Sequence, residues 1–126
     1  MHVKPCPCSS GKIFAVCCAP YLEGRSNPRT VKQLMRSRYS AFALGGHGDY
    51  LLQTWHPRTA PAVSAQDLGR ADTLWTGLQI VDSQQRGNQG MVEFRASFLD
   101  ADGKPDVHHE KSSFVREGGR WFYLSA

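Results

Sequence analysis

The chain has 126 residues, 40% hydrophobic and 21% charged, which is enough apolar material for one modest core and too much for wholesale disorder. No run of about 18 apolar residues occurs, so a membrane-spanning helix is excluded. The opening Met1-His2-Val3-Lys4-Pro5 has no apolar stretch behind it, so a secretory signal is not expected and the expected compartment is the cytoplasm. The formal net charge of +4 is uneven: residues 1–40 hold seven Lys and Arg against Glu23 alone, whereas residues 41–126 hold eight against ten acidic residues. Such an imbalance fits an acidic partner, either RNA or a protein face, or else a solvated basic helix face with no partner.

In chain order, residues 1–19 form a cysteine-rich arm holding all four cysteines, as Cys6-Pro7-Cys8, eight residues, then Cys17-Cys18. Zinc takes four soft or borderline ligands in a tetrahedron, and two close pairs on a short loop supply them. Pro7 stiffens the first pair, Ser9-Ser10-Gly11 lets the chain reverse, and Lys12 to Val16 have the length of one helical turn that returns Cys17 and Cys18 to the ion. With all four positions filled by protein the site would be closed and structural. Iron suits the same tetrathiolate. The alternatives are free thiols or cross-pair disulfides formed on oxidation; adjacent cysteines make poor local bridges.

Residues 20–29, punctuated by Pro20, Gly24, Asn27 and Pro28, read as a connector. Thr30 has the character of a helix N-cap, with Gln33 completing a capping box. Val31, Leu34, Met35, Arg38 and Phe42 follow at helical spacing, and Gly45-Gly46 ends the segment. A second helix is expected from Asp49 to Trp55, stopped by Pro57, and a short third one from Ser64 to about Ala71. From Leu74 the period becomes two: Leu74, Thr76, Leu78 and Ile80 alternate with Trp75, Gly77, Gln79 and Val81. Gly87–Gly90 is a turn, Val92 to Phe98 a second strand, Asp102-Gly103 a hairpin signal, Val107 to Arg116 a third strand, and Gly118-Gly119 precedes a fourth from Arg120 to Leu124. Helices first and an antiparallel meander after them predict an α+β domain over residues 30–126, its helices covering one face of a curved antiparallel sheet.

The Cys-Pro-Cys-x(8)-Cys-Cys pattern, with Ser10-Gly11-Lys12 inside its loop, resembles the SEC-C motif, which also occurs at the tail of the bacterial preprotein-translocase ATPase. The resemblance implies a zinc-stabilised knuckle that docks onto partner proteins. The rest of the chain resembles the bacterial YchJ-like family in six segments: 37–42 (Ser-Arg-Tyr-Ser-Ala-Phe), 50–57 (Tyr-Leu-Leu-Gln-Thr-Trp-His-Pro), 75–80, 92–98, 109–116 and 119–123. That resemblance implies a cone-shaped, nuclear-transport-factor-2-like (cystatin-like) domain, and it brings no activity with it. Many members carry a second SEC-C motif after the last strand and Asp-Gly after the final aromatic strand; this chain has Ser125-Ala126 there.

Within such a cone, Arg38, Tyr39, His56, Glu110, Ser112 and Trp121 are candidates for a small-molecule pocket, with a His–carboxylate acid–base pair. The simpler expectation is an Arg38–Glu110 ion pair among core aromatics. His108 and His109 fall on opposite faces of a strand, so joint chelation is not expected. No catalytic residue is assigned. Three functions follow: a non-enzymatic, zinc-binding interaction module that docks a protein through the knuckle and the basic arm; a small-molecule binder or enzyme of the ketosteroid-isomerase-like class using the cone; or non-specific nucleic-acid or ribosome binding through Arg25, Arg29, Lys32 and Arg36. Oligomeric state is left open.

Overall fold

The computed structural model describes residues 4–126, so the first three residues of the cysteine-rich arm and of the chain's opening lie outside the described residues. Four helices, α1 (Ala19–Leu22), α2 (Val31–Leu44), α3 (Gly48–Gln53) and α4 (Ala65–Leu68), precede four strands, β1 (Leu74–Arg86), β2 (Gln89–Leu99), β3 (Pro105–Glu117) and β4 (Arg120–Ser125). The strands form one antiparallel meander in the order β1-β2-β3-β4. The α+β expectation holds, and among the described residues no helix is long and apolar enough to cross a membrane.

The long helix α2 starts where the sequence places it. Thr30 Oγ1 accepts a hydrogen bond from Gln33 N at 3.1 Å, satisfying one donor that the first helical turn leaves free. The Gln33 side chain accepts from Arg29 N at 2.8 Å, one residue earlier than a standard capping box. A third donor, Val31 N, is satisfied from across the fold by Gln85 Oε1 at 2.8 Å, which pins the helix start to β1. At the other end Gly45, at φ +74°, closes the helix in a conformation that favours glycine.

The apolar stripe of α2 lies on the inner face of the sheet. Val31, Leu34, Met35 and Tyr39 share one core with Leu78, Val92, Phe94, Ala96, Phe114 and Trp121. Alternation along β2 and β3 sends Val92, Phe94 and Ala96, and Ser112 and Phe114, to this face. Strand β1 does not alternate cleanly. Register shifts lie between Trp75 and Gly77 and again between Ile80 and Asp82. The extra residue at Thr76 places Trp75, expected on the opposite face from Leu78, beside the inward-facing Phe98, with ring centroids 5.4 Å apart.

Helix α3 packs against α4 through glycine. A Cβ on Gly48 would stand 1.7 Å from the carbonyl oxygen of Ala65, and backbone cannot yield as a flexible side chain does. Gly48→Ala is therefore expected to cost about 2 kcal/mol and to lower the thermal midpoint by about 8 °C. An unchanged midpoint in calorimetry would show that the two short helices part freely.

Candidate metal centre

The N-terminal arm folds as a small loop closed on itself. Pro5 and Ile13 form an antiparallel bridge, Cys6 N donates to Lys12 O at 2.9 Å, and Phe14 N donates to Lys4 O at 2.8 Å. Between them the chain reverses through Ser9 at φ +64° and Gly11 at φ +87°. A single 3-10 turn, Phe14–Val16, then delivers Cys17 and Cys18 to the start of α1. The reversal and the helical turn both match the sequence expectation.

All four thiols converge, with every sulfur within 4.8 Å of the others. Cys8 Sγ lies 3.6 Å from Cys17 Sγ, which lies 4.0 Å from Cys18 Sγ. A tetrahedral ion with metal–sulfur bonds near 2.3 Å would hold its sulfurs about 3.8 Å apart, so the donor set fits one such ion with little rearrangement. No disulfide joins these cysteines. Cys8 is fully buried, Cys6 and Cys18 nearly so, and Cys17 half-buried.

Proton sharing within the cluster shows what a cation would relieve there. Hydrogen bonding from Cys18 is the largest influence that lowers the Cys8 pKa, to about 4. The same interaction, followed by burial, raises that of Cys18, and burial raises that of Cys17. One thiolate is thus held in a nest of thiols. Several thiolates together in this buried space would repel one another, and a divalent ion removes that conflict.

The knuckle is built into the domain. Cys6, Cys8 and Cys18 belong to the same buried cluster as Leu34, Tyr39, Phe94 and Phe114. Ser9 Oγ accepts from Leu78 N at 3.1 Å, the Arg36 guanidinium donates to Cys8 O at 2.6 Å, and Cys6 Sγ lies 3.6 Å from Ser40 Oγ. Ser10 Oγ, at 3.1 Å from Cys17 Sγ, supports the half-buried thiol. None of these supporting contacts is visible in the cysteine spacing. Arg36 and Ser40 lie one helical turn apart on α2, which is the only local trace of them.

The predicted basic patch divides. Lys32 and Arg36 line a groove of about 700 Å³ beside the knuckle, together with Lys12, Cys17, Tyr21 and Gln85, and the lining contains no carboxylate. Arg25 instead pairs with Glu23 at 3.1 Å on the surface, and Arg29, exposed, does not line the groove.

The predicted pocket residues divide as well. Arg38, Tyr39, Glu110 and Ser112 line a cavity of about 430 Å³ between α2 and the inner face of the sheet. His56 does not: past the end of α3 its backbone N pairs with Tyr123 O at 2.8 Å, and its ring bonds Glu117 at the surface. Trp121 faces inward at the far end of the sheet, under Val31 and Gly90, where Arg116 stacks on it at 5.2 Å. The expected Arg38–Glu110 ion pair is absent among the described residues. Glu110 is bonded by Ser112 and by His108 at 2.9 Å. The cavity's aromatic walls are Phe42, Trp55, Trp75, Phe94, Phe98 and Tyr123, and Met35, Thr73, Ala96 and His108 complete the lining; the sequence pattern singles out none of these for a pocket.

A family model described as the middle NTF2-like domain of YchJ matches residues 30–126. The UPF0225 protein of Deinococcus radiodurans is 45% identical over 124 residues, 98% of this chain and 88% of that protein. Two solved structures of SEC-C motif containing proteins superimpose on 95% of this chain. That from Rhodopseudomonas palustris has a TM-score of 0.86 at 35% identity, with 94% of its own length covered. That from Psychrobacter arcticus has a TM-score of 0.82 at 29% identity, with 80% covered. With the domain matched from helix α2 to the last strand and a 45% identical relative spanning nearly the whole chain, the chain belongs to the YchJ family (UPF0225).

Proposed function

We propose that this protein is a zinc-stabilised docking module that takes an acidic protein segment into the groove beside its knuckle. The observation that carries the reading is the convergence of four sulfurs within 4.8 Å at the edge of that groove. Cys6, Cys8, Cys17 and Cys18 would hold the ion, and a closed tetrathiolate leaves it a structural role with no open position for chemistry. Zinc is favoured over iron because such a site needs no redox change. Thiols kept unpaired suit a reducing compartment, so we place the protein in the cytoplasm.

Charge supports the choice of partner. Lys12, Lys32 and Arg36 line the groove without an opposing carboxylate. Beside it the knuckle exposes Val16, at 67%, and Ile13. A chain segment carrying Asp or Glu next to an apolar residue would meet both features.

Two measurements test this. Elemental analysis of freshly reduced protein is expected to find one zinc per chain. A fluorescent peptide of alternating Glu and Leu is expected to bind with an affinity that falls as salt rises, and Lys32→Glu, at an exposed position, is expected to weaken it at least fivefold. Equal binding by the variant, or tighter binding of a single-stranded RNA oligomer than of the peptide, would overturn the protein-docking reading.

A further inference from the structure

Away from the knuckle, the cavity under α2 holds a charge that the fold does not use up. Arg38 is only 4% exposed. Its Nη1 donates to Leu51 O at 2.8 Å and to Thr54 Oγ1 at 2.7 Å. The guanidinium carbon lies 5.0 Å from the ring centroid of Trp55 and 4.7 Å from that of Tyr123. Its Nε and Nη2 make no hydrogen bond among the described residues, and they are not sealed in. The only buried, unpartnered side-chain nitrogens or oxygens there are the indole nitrogens of Trp55 and Trp121. Two donors of this buried cation are thus left without a hydrogen-bond partner among the described residues, and Arg38 lines the cavity. Burial lowers its pKa only to about 10, so the group stays charged at neutral pH. No carboxylate lies within 4 Å of it among the described residues.

The surroundings narrow what would meet those donors. At about 430 Å³ the cavity falls in the range of small-molecule sites, about 300–1,000 Å³. Its walls are mostly apolar, with Phe42, Trp75, Phe94 and Phe98 among them. The second polar group, Glu110, already accepts from Ser112 and bonds His108, so it is an acceptor for a ligand hydroxyl and a poor neighbour for a second negative charge. An unpaired buried guanidinium is costly unless something charged completes it.

We propose that this cavity binds a flat, largely apolar monocarboxylic acid, an aromatic or unsaturated acid, with its carboxylate on the Nε–Nη2 edge of Arg38 and its body between the aromatic walls. A hydroxyl distal to the carboxylate would meet Glu110. The fork geometry of guanidinium and carboxylate makes this pairing bidentate.

Zinc-loaded, full-length protein titrated with 2-naphthoate, 6-hydroxy-2-naphthoate and the neutral 2-naphthamide tests it, with tryptophan fluorescence and amide chemical shifts as readouts. Saturable binding of both acids is expected, with shifts centred on Phe94, Ala96 and Ser112. The amide should bind at least tenfold more weakly. Arg38→Met is expected to weaken naphthoate at least tenfold and to abolish the preference over the amide. Ala96→Leu fills the cavity wall without touching Arg38 and is expected to block acid and amide alike, which keeps the test meaningful should Arg38→Met fold poorly. Absence of saturable acid binding at millimolar concentration, equal affinity for acid and amide, or naphthoate binding unaffected by Ala96→Leu would each overturn the proposal.

Discussion

Replacing Cys8 by serine is expected to remove stoichiometric metal and to lower the melting midpoint of the whole domain, not of the arm alone. Cys8 is the most enclosed of the four cysteines and sits in the same buried cluster as Leu34 and Phe94. Its carbonyl also receives Arg36 from α2. Losing the ion would strip the loop of the bond that fixes its geometry and leave polar sulfur and hydroxyl groups in the core. A cost of about 3 kcal/mol is expected, or about 12 °C in midpoint for a domain of this size. Cys17→Ser, at the half-buried cysteine, should retain weaker metal binding and lose less. A chelator added to reduced wild-type protein should reproduce the Cys8→Ser midpoint. Two separate transitions in calorimetry would contradict the integration of knuckle and domain.

The same centre has a predictable response to acid. Binding an ion expels the protons that burial and hydrogen bonding retain on Cys17 and Cys18, whose pKa values are raised. Metal affinity therefore rises with pH and falls on acidification. Because a bound ion would stabilise the fold by mass action, the midpoint at fixed free zinc should fall between pH 8 and pH 6 more steeply in wild type than in Cys8→Ser. The contrast between the two proteins isolates the ion from the histidines, which both retain.

How much of this was legible in the residues differs from place to place. The cysteine spacing marked the cluster because a reversal and one helical turn are both short-range events. Thr30 and Ser64 marked their helix starts because a cap is made by the residue itself; Ser64 Oγ accepts from Asp67 N at 3.1 Å. Phe94, Ala96 and Phe98, like Glu110, Ser112 and Phe114, fell on the inner face as their alternation requires. Alternation failed at Trp75 because a bulged residue resets the phase and leaves no mark in hydrophobicity. His56 and Trp121 are expected in the pocket because they lie in the segments that resemble the family and that converge in such a cone, whereas their positions follow from contacts across the chain. The pairing of Trp55 with Tyr123 turns His56 outward to Glu117, and Gly90 leaves room for the Trp121 indole beneath Val31.

Arg38 also admits a test in which fold and function make opposite demands. Arg38→Ala should cost about 3 kcal/mol: it empties the space between Trp55 and Tyr123 and removes the donor to Leu51 O and Thr54 Oγ1. Arg38→Met keeps nearly the same volume and removes the burden of a desolvated charge. Apolar replacements of buried charges are often neutral or stabilising, so the methionine variant is expected within about 1 kcal/mol of wild type. Chemical denaturation measures both variants. Should methionine cost as much as alanine, the guanidinium is needed for packing and hydrogen bonding, and its free donors lose their significance. Should methionine restore the stability that alanine loses, the fold has no need of the charge, and a buried cation aimed into an aromatic cavity is accounted for by what enters that cavity.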